Sequence, residues 1–224
     1  MEPKTLDHVA FWVAEREPLV ELATRHLGMH VIDHQDAFTL IGSDARRGKL
    51  TLFTADGPRE RGAFKHVALR VSDLDRARAA LPDGSDDEIE LGEGIRILLV
   101  EAQTAVEYDL DHVALLSPDP EATAEEYRTL GFAPAEPAPG GEPRVEVGGA
   151  YVEFHQGEPA AAEKPLLNHL AVLVDSADDH AAEAGELGIV ESFVDAANTR
   201  AVFVWGPEHV RIEYVEHKPT FALR

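Results

Sequence analysis

The sequence predicts an α+β protein built from four β-α-β-β-β modules. Three observations carry that prediction. A histidine opens an apolar stretch four times, in Leu6-Asp7-His8-Val9-Ala10, His66-Val67-Ala68, Leu110-Asp111-His112-Val113-Ala114 and Leu167-Asn168-His169-Leu170-Ala171. Each opening precedes a short helical pattern and then further strand patterns. Self-similarity at a period of roughly 50 residues marks a repeated structural unit. Glycines close the helical patterns in three modules, at Gly28, Gly131 and Gly188, as a helix C-terminus favours.

The first module, about 5–55, opens with strand 6–13. Pro18 stands near the start of its helix, and Leu19, Leu22, Ala23, His26 and Leu27 share one helical face. Strands are expected at 29–33, 37–41 and 49–54. The second module, about 64–101, has strand 66–71, an N-cap region at Ser72-Asp73, a helix to Leu81, an acidic turn over 83–88 and strand 95–100. The third, 109–156, has helix 121–130, a Pro/Gly/Ala-rich loop over 133–143, and strands 144–147 and 150–155. Gly148-Gly149 joins those two strands as a hairpin and not as a phosphate loop. The fourth, 166–216, has strand 167–174, helix 177–187 and strands 189–195, 201–205 and 210–215. Segments 101–109 and 157–165 are connectors. The first is the expected domain boundary: residues 1–105 would pair the first two modules, and residues 106–224 the last two.

At 224 residues, with 44% apolar residues, the chain can bury a sizeable core. It has no cysteine, which excludes disulfides and thiolate metal ligands. No apolar run approaches the roughly 18 residues that span a bilayer. The N-terminus lacks a basic segment followed by an apolar one, so a cytoplasmic protein is expected. The net charge of −22 disfavours nucleic acid and anionic membranes as partners. Lysines are only Lys4, Lys49, Lys65, Lys164 and Lys218, a balance that fits a GC-rich genome or a high-salt habitat.

The final strands carry the chemistry. Val210-Arg211-Ile212-Glu213-Tyr214 matches Ile95-Arg96-Ile97-Leu98-Leu99, with Glu213 on Leu98. Tyr151-Val152-Glu153-Phe154 matches Leu50-Thr51-Leu52-Phe53, with Glu153 on Leu52. A glutamate in an apolar strand is costly if buried unpaired. Alternation along a strand lets Glu153, Glu213, His112 and His169 face a common cavity. Imidazole and carboxylate suit divalent Fe, Mn, Ni, Co or Zn, and two histidines with one carboxylate is the non-haem iron arrangement. His8 and His66, with Leu52 and Leu98 in the matching places, are expected to be structural.

These modules resemble the vicinal oxygen chelate superfamily, which includes glyoxalase I, bleomycin-resistance proteins, methylmalonyl-CoA epimerase and type I extradiol dioxygenases. The resemblance runs from Leu6 to Glu216. It implies module pairs forming cupped sheets around one divalent metal held by His112, Glu153, His169 and Glu213. The four-ligand set is the glyoxalase I pattern; His112, His169 and Glu213 alone fit the extradiol pattern. By the same resemblance the metal would polarise a small substrate chelated through adjacent oxygens, and Glu153 would move a proton beside it. The extradiol signature wants a histidine before the final hairpin, but none lies between His180 and His209, and Phe203 stands for its tyrosine. Isomerase or lyase chemistry is therefore preferred, with ring cleavage by Fe(II) second. A ligand-sequestering protein like the bleomycin-resistance group is the third reading.

Other residues are assigned on the same evidence. His155 shares a face with Glu153 and is placed beside the site or at an edge. Arg200 is a candidate clamp for a substrate carboxylate, or a surface ion pair. His209 and His217 are expected in solvent, and Tyr214 in the core. A small-molecule substrate and a monomer or homodimer complete the expectation.

Overall fold

The computed structural model describes residues 2–82, 84–85 and 87–221. The first module contains β1 (Thr5–Val13), α1 (Arg16–His26), β2 (His30–His34), β3 (Phe38–Asp44) and β4 (Arg47–Thr54). The second contains β5 (Phe64–Val71), α2 (Leu74–Arg78), β6 (Glu88–Gly92) and β7 (Ile95–Glu101). The third contains β8 (Asp109–Ser117), α3 (Pro120–Thr129), β9 (Ala133–Pro134), β10 (Arg144–Val147) and β11 (Ala150–Gln156). The fourth contains β12 (Leu167–Leu173), α4 (Ala177–Leu187), β13 (Val190–Asp195), β14 (Thr199–Trp205) and β15 (Arg211–His217). The α+β class and three of the four β-α-β-β-β modules are thus as expected; among the described residues the second module is β-α-β-β, one strand short. Strand β6 was missed because it begins at the end of the acidic run; Asp83 and Asp86 of that run lie outside the described residues.

Local chemistry explains the helix starts. Asp73, Asp119 and Ser176 accept hydrogen bonds from the backbone N–H of Arg76, Ala122 and Asp179. Each such cap is worth about 1 kcal/mol. In the β10–β11 hairpin, Gly148 and Gly149 have φ of 58° and 83°, which the favoured two-residue turn demands. A Cβ at Gly148 would also come within 1.9 Å of the Lys4 carbonyl oxygen.

The modules do not pair as chain order suggests. One eight-stranded sheet runs β13-β14-β15-β12-β1-β4-β3-β2 and joins modules four and one. A seven-stranded sheet runs β6-β7-β5-β8-β11-β10-β9 and joins modules two and three. The expected division at 105 therefore separates strands that share a sheet. Alternation fixes each module but says nothing about which opening strand lies beside it. The connector 55–63 can reach about 30 Å at ~3.4 Å per residue, enough to leave one sheet and enter the other.

Each sheet gives one face to a shared core. Val9 and Phe11 of β1, Phe64 and Val67 of β5, Val113 and Leu115 of β8, and Leu170 and Val172 of β12 are all fully buried there. Phe11 and Phe64 meet edge to face, with ring centroids 5.0 Å apart. Fully burying a phenylalanine contributes roughly 1.5–3 kcal/mol. The alternate residues of the opening strands, including all four repeat histidines, point to the opposite faces. Those two faces form two cups.

Candidate metal centre

The register of the eight-stranded sheet assembles the first cup. Lys49, His8, Ala171, Glu213 and Phe203 are successive neighbours across β4, β1, β12, β15 and β14. Thr51, Ala10 and His169 form the adjacent row on β4, β1 and β12. Alanine between the histidines and the carboxylate leaves room above the sheet. His8 Nε2 lies 3.0 Å from His169 Nε2, and Glu213 Oε2 lies 2.9 Å from His169 and 3.3 Å from His8. These three residues form the one metal-compatible cluster of three or more such side chains among the described residues, with one ligand atom from each within 4.8 Å of the others.

The outer hydrogen bonds fix the tautomers. His8 Nδ1 is 2.8 Å from Asp7 Oδ2, and His169 Nδ1 is 3.0 Å from Asn168 Oδ1. Both oxygens only accept, so both Nδ1 atoms carry hydrogen. In neutral rings the two Nε2 lone pairs then point at each other and at a carboxylate oxygen. Three converging acceptors need a cation between them, and the donor set suits a divalent metal ion. Without one, a proton on His8 fills that role. Burial opposes charge on His8, but the carboxylates of Asp7 and Glu213 outweigh it and raise its pKa to about 8. Burial lowers the pKa of His169, against the pull of Glu213. Burial would raise the pKa of Glu213, yet His169 and His8 hold it well below the carboxylate range.

A cavity of about 580 Å³ lies over this cluster, walled by Trp12, Phe38, Phe53, Phe203 and Phe221. Asp7 and Lys49 at its base are each 2% exposed, with Lys49 Nζ 2.8 Å from Asp7 Oδ2. His217 Nε2 lies 3.0 Å from Asp7 Oδ1 and its ring stacks on Phe221 at 4.0 Å. Burial works against Asp7, but Lys49, His217 and His8 hold its pKa well below the usual value.

The second cup repeats the plan with different fittings. His66, Ala114, Glu153 and Arg144 are successive neighbours across β5, β8, β11 and β10. Leu98 and His112 flank Ala68 in the next row. His66 Nε2 is 3.0 Å from His112 Nε2, whose Nδ1 is 2.8 Å from Asp111. Here His66 follows a lysine and its Nδ1 has no hydrogen-bond partner among the described residues. It can therefore carry its hydrogen on Nε2 and donate to His112, with no cation required. Glu153 is 3.5 Å from His112, 3.4 Å from Arg144 Nη1 and 3.7 Å from His155. Lys65 Nζ donates to His155 Nδ1 at 2.9 Å. Burial, with His112 and Lys65 nearby, lowers the pKa of His66 to about 3. Burial and Lys65 lower that of His155.

The expected set His112, Glu153, His169 and Glu213 is thus split between two sheets, because the modules pair differently. His169 and Glu213 stand together with His8, and His112 and Glu153 with His66. His8 meets the carboxylate of Glu213, from a final strand across the sheet, besides Asp7 next to it in sequence, whereas His66 meets His112 and makes no carboxylate contact among the described residues. The register also corrects the strand comparison: Ala10 pairs with Thr51 as Ala171 pairs with Glu213, so Thr51 and not Leu52 holds the matching place. Arg200 lies far along β14 in surface pairs with Asp178 at 2.7 Å and Asp195 at 3.8 Å. Tyr214 is in the core and donates to the Leu130 carbonyl at 2.6 Å. His209 is exposed beside Trp205. His217, expected in solvent, faces the cup. Asp7, Lys49 and His217 escaped the sequence reading. The first two had a signal: an acceptor before a strand histidine, and a lysine inside an apolar strand.

No family model and no curated protein matches the sequence. Solved structures do match the fold. A Bacillus subtilis protein provisionally assigned as a dioxygenase aligns over 99% of this chain and 87% of its own, with TM-score 0.80 and 14% identity. Glyoxalase I from Zea mays aligns over 95% of this chain and 92% of its own, with TM-score 0.67 and 14% identity. The cppA protein from Streptococcus pneumoniae aligns over 96% and 98%, with TM-score 0.64 and 13% identity. The chain has the paired-module fold of the vicinal oxygen chelate superfamily. Among the described residues no helix is long and apolar enough to cross a membrane.

Proposed function

We propose that the protein is a metal-dependent enzyme with one divalent ion held by His8, His169 and Glu213. The substrate is a small molecule that chelates the ion through adjacent oxygens. When bound, such an ion supplies Lewis acidity and, as iron, dioxygen chemistry. The observation that carries the reading is the convergence of two fixed Nε2 atoms and one carboxylate under an aromatic cavity. The set has three ligands, since Thr51 occupies the fourth place. That leaves the open positions an oxygenase needs.

Thr51 also removes the carboxylate base that isomerisation next to a carbonyl would use there. Glu153, the expected base, lies in the other sheet beside Arg144. Ring cleavage of a catechol therefore becomes the preferred reaction. The histidine missing before the final hairpin has a substitute in His217, which Asp7 holds at the cup where it can accept or give a proton. The aromatic walls exclude water and stack on a planar substrate.

The test is to load the protein anaerobically with Fe(II), add catechol and oxygen, and follow the yellow ring-opened product and oxygen uptake. Cleavage that disappears in Glu213→Gln is expected. Turnover of a methylglyoxal–thiol adduct with no catechol cleavage would overturn the oxygenase reading. Absence of bound metal after loading would overturn the metal centre itself.

A further inference from the structure

Lys49 is a buried cation with work left to do. It sits in the apolar strand β4, beside His8 in register and on the same face, 2% exposed at the base of the cavity. An ammonium has three donors. Among the described residues Lys49 Nζ makes one hydrogen bond, to Asp7. The Phe221 ring centroid lies 5.8 Å away on the cavity side.

In the other sheet the cation at the equivalent place, Arg96, is paired through two of its nitrogens with Glu88, at 2.6 and 2.5 Å. At the histidine cluster Asp7 and Glu213 are anionic and Lys49 is the nearby cation. Arg211, which also lines the cavity, is paired with Glu191. Asp33 at the wall accepts from the neutral Gln35 amide and keeps its charge.

We propose that Lys49, fixed by Asp7, binds an oxyanion of the substrate, so the cup selects a planar apolar molecule carrying one negative oxygen group over its neutral counterpart. A carboxylate or a phenolate meets that description: it can accept from the donors of Lys49 that Asp7 leaves free, with its body among Trp12, Phe53 and Phe203. This rests on reading the first cup as the substrate site.

The probes are benzoate and benzamide, of nearly equal shape, titrated calorimetrically into the Zn(II)-loaded protein and again after chelation. Wild type should bind benzoate at least about tenfold more tightly than benzamide. Lys49→Met should bring that ratio close to one, with the loss falling on benzoate and not on benzamide. Lys49→Gln, whose amide can still donate to Asp7, should do the same if the Met variant does not fold. Lys49→Arg keeps the charge and should keep most of the preference. An unchanged ratio in the Met or Gln variant, or a full loss in the Arg variant, overturns the assignment. So does a preference that vanishes on chelation whether or not Lys49 is present, since the ion then binds the anion. In that case the metal centre stands and only the role of Lys49 falls.

Discussion

Phe203 and Arg144 occupy the same register position in the two sheets, each directly across from a final-strand glutamate. Phe203 pairs with Glu213, and Arg144 with Glu153. The phenylalanine leaves its glutamate to the two histidines and walls the cavity. The arginine approaches its glutamate to 3.4 Å and so competes with any cation for it. The repeat therefore makes two similar frames, and the residues beside the ligands differentiate them.

The two glutamates should separate in a metal-content measurement. Glu213→Gln removes the anionic ligand of the first cup, and its metal affinity should fall at least about a hundredfold. Glu153→Gln should leave metal content within about twofold of wild type. Both variants are analysed after loading and gel filtration. Equal loss in the two would mean that the second cup also carries the ion.

The residues behind the histidines should separate the cups in the same way. Asp7→Asn weakens the hold on His8 Nδ1, and its metal affinity should fall roughly 10–100-fold, the usual effect of outer hydrogen-bond partners. Asp111→Asn, the same change behind His112, should have little effect on metal binding. A competition titration with a chromophoric chelator measures both. A larger effect in Asp111→Asn would reverse the assignment of the cups.

Metal affinity should rise with pH across one window. His8 in the metal-free protein titrates at about 8, above its ordinary 6.5. A raised histidine contributes stability that is complete below pH 6.5 and lost as pH rises through 8. Glu213 has the opposite sign: its contribution is present above its ordinary value of 4.5 and is lost as pH falls through its depressed native pKa. An ion displaces the proton of His8, so affinity should increase roughly 15-fold from pH 6.5 to 8 and then level off. Competition titrations at several pH values check this. A flat profile would mean that His8 carries no proton to displace.

The modules were legible because their signals are local. Histidine-led strands, capped helices and glycine stops lie within about fifty residues of chain. The pairing was not legible, because Ala171 lying between His8 and Glu213 joins strands from opposite ends of the sequence. Searching for a carboxylate in each histidine's own module followed from that missing information. Glu213 and His169 survived the change because they share a module, whereas His8 entered only through the β1–β12 pairing. Lys49 was open to the argument used for the glutamates, a charge inside an apolar strand. His217 had no local signal, since its place depends on Asp7 more than two hundred residues earlier.

The differences between the cups should be transferable. The second cup already has His66, His112 and Glu153 in the ligand register. It lacks an acceptor behind His66, where Lys65 stands, and it carries Arg144 against its glutamate. Lys65→Asp supplies an acceptor for His66 Nδ1, which forces its Nε2 lone pair toward that of His112. It also removes a nearby positive charge that disfavours a metal cation. Arg144→Phe frees Glu153 and copies the wall residue of the first cup. Metal stoichiometry of wild type should be close to one per chain, and that of the double variant should approach two at the same free metal concentration. Glu153→Gln added to the double variant should return it to one. A wild-type stoichiometry of two would show that Lys65 and Arg144 do not exclude the ion. A double variant that stays at one, with its fold confirmed by circular dichroism, would show that hydrogen-bond support and local charge do not distinguish the two cups.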